Sequence, residues 1–329
     1  MGIALLDDYQ DVALAMADWP GLGAGVRSEA FHDHLTDEGT IADRLGPFDV
    51  IVAMRERTPF PRSLLARLPA LRLLITTGMS NASIDLAAAT RLGIVVCGTE
   101  GLGYPTAELT WGLILALARR IPQESQAMRN GRWQTTVGVG LRGKTLGVVG
   151  LGRLGPQVAS IGHAFGMIVL AWSQHLTPAR AAECRAELVP KHEILARSDI
   201  VTIHLKLSPR TTGVIGAREL GLMKRTAFLI NTSRGPIVEE RALLHALGEG
   251  TIAGAALDVF DDEPLPVDHP FRRMENVVIT PHVGYVTREN YEVFYRDAAD
   301  DVRACLAGSP VRVLNPDVLS SPALRRFPA

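Results

Sequence analysis

Short apolar runs alternate with longer amphipathic stretches along most of the chain, a pattern that predicts strands alternating with helices. In the first part of the chain, strands are predicted at residues 3–6, 49–54, 73–76 and 94–97, and helices around 12–17, 37–45, 63–67 and 85–90. A long apolar helix is predicted over residues 106–120. Strands that are each followed by a helix are typical of a parallel sheet with crossover connections.

A second series of the same kind follows. Its strands are predicted at residues 145–149, 168–172, 200–204, 228–231, 253–257 and 277–280, and its helices at 155–165, 178–186, 193–196 and 239–247. A last helix over 289–306 and a short strand over 311–314 come after this series stops, so they could pack back on the first domain. The pattern predicts two doubly wound α/β domains with parallel sheets, one over 102–285 and one assembled from 1–101 and 286–329.

The amino-acid composition fits a folded protein and excludes several classes of function. Of the 329 residues, 47% are hydrophobic and 21% are charged, which is enough apolar material for a packed core. The 34 Lys and Arg residues nearly balance the 35 Asp and Glu residues, so no nucleic-acid or membrane partner is expected. The three cysteines are too far apart for a disulfide framework or a metal site. Without a signal-peptide pattern or an apolar run of membrane-spanning length, we expect a cytoplasmic protein.

A glycine motif, Gly150-x-Gly152-x-x-Gly155, lies between a predicted strand and a predicted helix. In a dinucleotide site, the first glycine permits a tight turn, the second lets the backbone approach a pyrophosphate, and the third lets helix and strand pack closely. The N-terminus of the helix then offers free N–H groups and a favourable dipole to the phosphates. The motif predicts dinucleotide binding, with an ordinary tight turn between strand and helix as the alternative.

The residue that follows the next strand indicates which dinucleotide binds. An acidic residue there would accept a hydrogen bond from the ribose 2′-hydroxyl and select NAD. Ser173 takes this position, and no arginine stands beside it in the sequence to favour NADP. Because serine can bond either a hydroxyl or a phosphate, the sequence favours NAD as the cofactor and leaves NADP open.

Four stretches in the order 143–152, 230–238, 257–264 and 280–284 resemble the D-isomer-specific 2-hydroxyacid dehydrogenase family, which includes phosphoglycerate dehydrogenases and glyoxylate/hydroxypyruvate reductases. The similarity extends from about residue 53 to residue 315. It implies a Rossmann-type NAD domain inserted in a flavodoxin-like substrate domain, with a cleft between them. It also implies an oxidoreductase that passes a hydride between NAD(H) and C2 of a small D-2-hydroxy or 2-oxo acid.

The resemblance implies a catalytic set of Arg234, Glu263 and His282. The chemistry agrees, because an arginine fork can hold a carboxylate and polarise the neighbouring carbonyl. Histidine is suited to give a proton to the developing alkoxide, and a carboxylate beside it favours the protonated ring and fixes its orientation. Taken singly, Arg234 could cap a strand or pair with Asp258, Glu263 could be a solvated loop charge, and His282 could be a turn residue.

The same resemblance implies contacts along the cofactor and the substrate. Near the cofactor it implies Arg153 and Leu154 at the pyrophosphate, and Thr232, Ser233 and Asp258 at the nicotinamide. His204 ends a strand on the cofactor side and either approaches the nicotinamide or caps the strand. The substrate carboxylate is expected on the loop of Gly78, Met79 and Ser80, where glycine favours a backbone nest for an anion. Arg55 and Arg57 end the preceding strand and either face the cleft or carry surface charge.

Other positions leave the substrate and the assembly less defined. Tyr285 follows Gly284 where many relatives have a second glycine, and Glu56 adds negative charge near the expected carboxylate site. Trp133 and the apolar face of residues 111–118 suit a homodimer contact, with an intramolecular core as the alternative. Two other functions stay open: an NAD(H)-sensing, corepressor-like scaffold on the same fold, and a dehydrogenase that acts on formate or a phosphorus acid.

Overall fold

The computed structural model describes residues 1–327 and contains two parallel β-sheets. The strands are β1 (Gly2–Leu5), β2 (Arg27–Ala30), β3 (Val50–Ala53), β4 (Leu73–Thr76), β5 (Val95–Gly98), β6 (Thr145–Val149), β7 (Ile168–Trp172), β8 (Glu187–Leu188), β9 (Ile200–Ile203), β10 (Phe228–Asn231), β11 (Gly254–Leu257) and β12 (Val277–Ile279). The last two residues of the predicted discontinuous domain, 328–329, lie outside the described range.

Helices connect and flank these strands. They are α1 (Glu38–Leu45), α2 (Arg62–Leu65), α3 (Leu86–Arg91), α4 (Pro105–Ala118), α5 (Ile121–Arg129), α6 (Gly155–Ala164), α7 (Pro178–Glu183), α8 (Lys191–Arg197), α9 (Ala217–Leu222), α10 (Glu240–Gly248) and α11 (Arg288–Leu306). Short 3-10 turns occur at Ala13–Ala15, Pro20–Leu22, Gly235–Ile237, Pro270–Arg273 and Pro316–Ser320. None of the described helices is both long enough and apolar enough to cross a membrane.

Packing divides the chain into two compact units. One unit, called here the inserted unit, is Gly103–Tyr285, and the other, called the outer unit, combines Met1–Leu102 with the segment that begins at Val286. All strand pairs in both sheets are parallel. An α-helix lies between most consecutive strands, and 3-10 turns take that place between β1 and β2 and between β11 and β12. The predicted fold class, two doubly wound α/β domains, is confirmed.

The sheet of the outer unit has the strand order β2-β1-β3-β4-β5, which is the flavodoxin-like order. Strands β3, β4 and β5 are buried at every residue. Helices cover both faces of a parallel sheet, and the C-terminal segment also covers the edge strand β5. Helices α1, α2 and α3 pack on one face through a core that includes Leu45, Leu64 and Ala88. Helix α11 contacts β4.

The C-terminal segment is attached to β5 by two backbone hydrogen bonds, from Gly98 to Arg312 and from Leu314 to Val96, and by the buried side chain of Asn315. Its Oδ1 accepts a 2.8 Å hydrogen bond from the N–H of Val96. Its Nδ2 donates to the carbonyl oxygen of Ile94 at 2.9 Å and to Oγ1 of Thr90 at 3.1 Å. The strand predicted over residues 311–314 is observed only as an isolated antiparallel bridge between Cys97 and Val313, so Asn315 supplies the bonds that a longer ladder would otherwise make.

The sheet of the inserted unit has the order β12-β11-β10-β9-β6-β7-β8, a Rossmann-type arrangement with one added edge strand. Successive strand residues pack on opposite faces, as Leu229 and Ile230 do in β10. Helices α4 and α6 cover one face, and α8, α9 and α10 cover the other. The strand order reverses between β6 and β9, the position at which open α/β sheets bind ligands.

We expect the substitution Asn315→Ala to destabilise the outer unit by about 2–4 kcal/mol, because it removes three hydrogen bonds and leaves the backbone groups of Val96 and Ile94 buried without partners. Urea unfolding followed by circular dichroism measures this loss. Asp317→Asn is the matched control, since Asp317 is exposed in the same segment. An Asn315→Ala variant that unfolds at the same urea concentration as the control would show that the three bonds of Asn315 contribute little to stability.

Candidate active site

Each of the three glycines in the turn after β6 is explained by a different structural requirement. Gly150 has a φ of +108°, and a Cβ there would lie 2.7 Å from the carbonyl oxygen of His204. A Cβ on Gly155 would lie 2.0 Å from the carbonyl oxygen of Gly150. At Gly152, by contrast, a Cβ would meet no protein atom within 4 Å. Packing therefore requires the outer two glycines, and the open space at Gly152 fits close approach of a pyrophosphate to the backbone.

The residues between these glycines lead directly into α6. Leu154 is the N-cap residue of this helix, and among the described residues no side chain caps its first turn. The N-terminal N–H groups of α6 are thus left for an anion. Arg153 is exposed, and its guanidinium lies beside Gly103, where a Cβ would be 3.1 Å from one terminal nitrogen. The turn, the helix start and Arg153 together fit the residues that a dinucleotide pyrophosphate needs.

The loop after β10 is held in shape by Asn231. Its Nδ2 donates to the carbonyl oxygen of Arg234 at 3.0 Å, and its Oδ1 accepts from the N–H of Ser233 at 3.0 Å. Because both bonds are local, the fully buried Asn231 fixes the backbone that presents Arg234. The Arg234 side chain is half-buried and donates to the carbonyl oxygen of Ser233 at 2.8 Å.

The neighbouring hydroxyl groups of this loop are also engaged. Thr232 Oγ1 lies 2.8 Å from Thr110 Oγ1, and the Ser233 hydroxyl donates to the carbonyl oxygen of Leu205. The backbone of Gly235 lies so close to the loop after β11 that a Cβ would be 2.1 Å from the carbonyl carbon of Phe260. These contacts join the loops after β9, β10 and β11, so the position of Arg234 depends on all three.

Glu263 and His282 form a direct pair. His282 Nδ1 lies 2.6 Å from Glu263 Oε2, and Glu263 Oε1 accepts a 2.9 Å hydrogen bond from the N–H of Phe260. Since a carboxylate only accepts hydrogen bonds, Nδ1 carries a hydrogen. No described residue hydrogen-bonds Nε2, and 20% of the His282 side chain is exposed, so this nitrogen is available to a ligand.

Asp258 anchors the loop that carries His282. Its Oδ1 accepts from Thr280 Oγ1 at 2.6 Å and from the N–H of Val283 at 2.8 Å, and its Oδ2 accepts from the N–H of Gly284 at 2.9 Å. Burial raises the pKa of Asp258, and these hydrogen bonds oppose the rise. His282 itself has a φ of +53°, a left-handed conformation that is uncommon for histidine. The anchored loop therefore holds the histidine in a conformation that it would rarely adopt alone.

His204 and Ser173 follow β9 and β7. His204 Nε2 lies 2.9 Å from Thr202 Oγ1, and burial lowers the pKa of His204 to about 4, so the ring is neutral near pH 7. Its buried Nδ1 has no hydrogen-bond partner in the part of the chain that the structure describes. An orphaned ring nitrogen at this edge of the sheet fits a bound polar group. Ser173 is partly exposed and directly follows Trp172.

The predicted substrate residues belong to the outer unit. Arg55 Nη1 donates to the carbonyl oxygen of Thr77 at 3.1 Å, and Arg57 Nη1 donates to that of Asp7 at 3.0 Å. The Arg57 guanidinium also lies 4.7 Å from the ring centre of Tyr9, within range of a cation–π contact. Both arginines are half-buried and held by specific contacts, so they are more than solvated surface charges.

The loop after β4 turns at Gly78, which has a φ of +94°. The N–H of Gly78 donates to Thr99 Oγ1 at 2.9 Å, so this amide is already engaged. The next two amides, those of Met79 and Ser80, make no hydrogen bond to any residue in the described range. Two adjacent free N–H groups after a left-handed glycine fit an anion-binding loop.

Parallel pairing gathers the predicted residues of the inserted unit at one edge of its sheet. Arg234, Glu263 and His282 follow β10, β11 and β12, which are neighbours in the sheet, and Gly150, Ser173 and His204 follow β6, β7 and β9. Arg55, Arg57 and the Gly78 loop follow β3 and β4 in the sheet of the outer unit. The roles of Asn231 and Thr280 were not predicted from the sequence. Asn231 ends β10 and Thr280 directly follows β12, so a polar residue at the end of a buried strand was the available signal.

Comparison with known proteins identifies relatives of this chain. The family model for the NAD binding domain of D-isomer specific 2-hydroxyacid dehydrogenases matches residues 111–284. A glyoxylate reductase of Aeropyrum pernix is 43% identical over 267 residues, which are 78% of this chain and 80% of that protein. A D-3-phosphoglycerate dehydrogenase of Methanocaldococcus jannaschii is 37% identical over 82% of this chain, and the match spans 52% of its own length.

The solved structures include similar folds over nearly the whole chain. The crystal structure of a phosphoglycerate oxidoreductase from Vibrio cholerae superposes with a TM-score of 0.89 at 36% sequence identity. The superposition covers 94% of this chain and 100% of that one. The similarity therefore includes both parallel sheets and is not limited to the nucleotide-binding motif.

The glycine turn yields a paired prediction. Gly152→Ala should unfold at the same thermal midpoint as the parent, because its Cβ enters open space. The same Cβ should contact the pyrophosphate and raise the dissociation constant for NADH about tenfold or more. Gly155→Ala should instead lower the thermal midpoint, because its Cβ would collide with Gly150. Thermal unfolding and NADH fluorescence titration measure the two effects. Unchanged NADH affinity in a folded Gly152→Ala protein would contradict the pyrophosphate position.

Proposed function

The chain belongs to the D-isomer specific 2-hydroxyacid dehydrogenase family, and we propose that Arg234, Glu263 and His282 perform the chemistry of this oxidoreductase. Its reaction is hydride transfer between NAD(H) and C2 of a small 2-hydroxy or 2-oxo acid. The observation that carries the proposal is the 2.6 Å hydrogen bond between His282 Nδ1 and Glu263 Oε2. An imidazole that is oriented by a carboxylate and has its second nitrogen free suits general acid–base catalysis.

Each of the three side chains has a separate role in the proposed mechanism. When bound, the reduced dinucleotide supplies the hydride that the C2 carbon of the oxo acid accepts. Arg234 holds the substrate carboxylate and polarises the C2 carbonyl with its fixed fork of donors. Nε2 of His282 donates a proton to the carbonyl oxygen, where hydride addition leaves negative charge.

Glu263 makes the histidine effective without touching the substrate. By accepting from Nδ1, it keeps Nε2 directed away from the pair and stabilises the positive charge of the protonated ring. In the oxidation direction, neutral His282 removes the proton of the 2-hydroxyl group, and the same carboxylate stabilises the imidazolium that forms. Asp258 supports both directions because it fixes the loop from which His282 projects.

We propose that a small, singly charged 2-oxo acid is the preferred substrate. The amides of Met79 and Ser80 are two adjacent donors that suit the two oxygens of a carboxylate. Glu56 lies 4.0 Å from the Arg55 guanidinium and offsets part of the positive charge at this edge. A second anionic group on the substrate, such as a phosphate, is therefore less favoured here.

A panel of 2-oxo acids with NADH and with NADPH, followed by nicotinamide absorbance, tests the proposed activity. We expect glyoxylate and hydroxypyruvate to be reduced, and 3-phosphohydroxypyruvate to be reduced less efficiently. His282→Ala should lower kcat on the best acid about 10³-fold, because it removes the proton donor, while the affinity for NADH stays near that of the parent. His192→Ala is the control, since His192 is exposed on α8.

The outcomes of this experiment separate the activity from the residue assignment. If no acid of the panel is reduced with either cofactor, the proposed reaction is wrong. If the parent is active and His282→Ala retains full activity, the reaction stands and the assignment of the proton donor is wrong.

We also propose that the chain forms a homodimer through the segment after α5. The apolar face of residues 111–118, which the sequence also suggested for this contact, is instead buried in the core of the inserted unit. Trp133 is 74% exposed and Val137 is 92% exposed in a stretch without regular secondary structure, and Met128 on α5 is 56% exposed. Large exposed apolar side chains that follow one another this closely in the sequence are candidates for an interaction surface. A second copy of the same segment would bury them symmetrically.

The double substitution Trp133→Ser and Val137→Ser should convert the dimer into a monomer, because it removes the largest apolar contacts of this segment. Size-exclusion chromatography with light scattering measures the mass. Val267→Ser is the matched control, since Val267 is 88% exposed in a different loop. A parent that elutes as a monomer, or a double variant that stays dimeric, would rule out this interface.

A further inference from the structure

The segment that follows β7 contains no acidic residue. It reads Ser173, Gln174, His175, Leu176, Thr177, Pro178, Ala179 and Arg180. A carboxylate at the start of this segment would bond the 2′-hydroxyl of an adenosine ribose and repel a phosphate on the same oxygen. Its replacement by Ser173 removes that repulsion and leaves a hydroxyl that donates to a phosphate as readily as it accepts.

Arg180 brings a guanidinium to the glycine turn from the following helix. Its Nε lies 3.4 Å from the carbonyl oxygen of Leu151, and its Nη2 lies 3.3 Å from that of Gly152. The remaining terminal nitrogen pairs with Glu183 at 2.7 Å, in a contact that is largely solvent-exposed. The positive charge of Arg180 therefore lies at the pyrophosphate turn, on the helix into which the segment beginning at Ser173 leads.

Arg210 approaches the same segment from the loop after β9. Its Nη1 lies 3.1 Å from Nε2 of His175. Since arginine only donates, Nε2 of His175 accepts this bond, and Nδ1 then carries a hydrogen and is a donor. No carboxylate pairs with Arg210 within residues 1–327, so its charge is not neutralised by the protein.

We infer that this edge of the inserted unit binds the 2′-phosphate of NADP(H), with Arg180 and Arg210 as the charged donors and Ser173 and His175 as neutral donors. The inference rests on the proposed function, because it needs a dinucleotide on the glycine turn. A phosphomonoester offers three acceptor oxygens and close to two negative charges, which matches two arginines flanked by neutral donors. The ribose diol of NAD has no negative charge for these arginines to bind.

The arginines could not be anticipated from the neighbours of Ser173 in the sequence. Arg210 is 35 residues from its partner His175, and Arg180 reaches back to a turn 28 residues earlier. The sequence favoured NAD because no arginine follows Ser173 directly. The three-dimensional structure brings two arginines from other elements to this edge, and on that ground we infer the opposite preference.

Direct binding tests the site without relying on turnover. Isothermal titration calorimetry compares adenosine 2′,5′-bisphosphate with adenosine 5′-monophosphate, two probes that differ only in the 2′-phosphate. The parent should bind the bisphosphate about 10- to 100-fold more tightly, because hydrogen bonds to charged groups contribute on this scale. The double variant Arg180→Ala with Arg210→Ala should reduce this ratio to near one. Arg218→Ala, which removes the charge of an exposed arginine on α9, should leave it unchanged.

A second variant keeps the test decisive if the double variant does not fold. Ser173→Asp adds a negative charge and removes no arginine contact. It should lower the ratio of bisphosphate to monophosphate affinity, and it should raise kcat/KM for NADH relative to that for NADPH. Equal affinity of the parent for the two probes would overturn the inference. A preference for the bisphosphate that persists in the folded double variant would overturn the assignment to these arginines.

The proposed reaction and the phosphate site fail in distinguishable ways. If the probes behave as expected and no 2-oxo acid is reduced, the phosphate site stands and the reaction is wrong. If acids are reduced with NADH alone and the two probes bind equally, the reaction stands and the phosphate site is wrong.

Discussion

Parallel strand pairing is the constraint on which the candidate site depends. A parallel ladder requires every strand to run in the same direction, so each return path is a crossover and every carboxyl end lies at the same edge. In the inserted unit, β6, β7, β9, β10, β11 and β12 each end beside a residue with a chemical role, from Gly150 to His282. Residues far apart in the chain are thereby brought to one edge before any of their side chains interact.

Side chains that do not react complete the arrangement. Asn231 uses both ends of its amide to shape the loop of Arg234, and Asp258 uses three acceptor contacts to hold the loop of His282. Both are buried, where a polar group without partners would cost about 1–3 kcal/mol, so their bonding networks leave little freedom to rearrange. The left-handed backbone of His282 is maintained by this network and not by the histidine itself.

The sequence predicted the fold class and the glycine turn, because buried strands and short motifs are local patterns. The set of Arg234, Glu263 and His282 came from the resemblance to a family and stays a prediction. The sequence pattern missed β2, since Arg27–Ala30 is a polar edge strand that is never fully buried, and it missed α9, a helix of six residues within a polar stretch. It also gave no indication that Asp258 anchors residues 280–284 or that Arg210 contacts His175. Those contacts join separate loops, and loop conformation depends on packing that no local pattern records.

The return of the chain to the outer unit has a consequence for synthesis on the ribosome. Every residue of the inserted unit is available once translation has passed Tyr285, whereas β4 and β5 still lack α11 and the Asn315 contacts. The inserted unit is therefore able to fold first, while the apolar strands made earliest wait for their final cover. During that interval the N–H of Val96 and the carbonyl oxygen of Ile94 lack the partners that Asn315 later supplies, and unpaired strand edges of this kind are prone to aggregation.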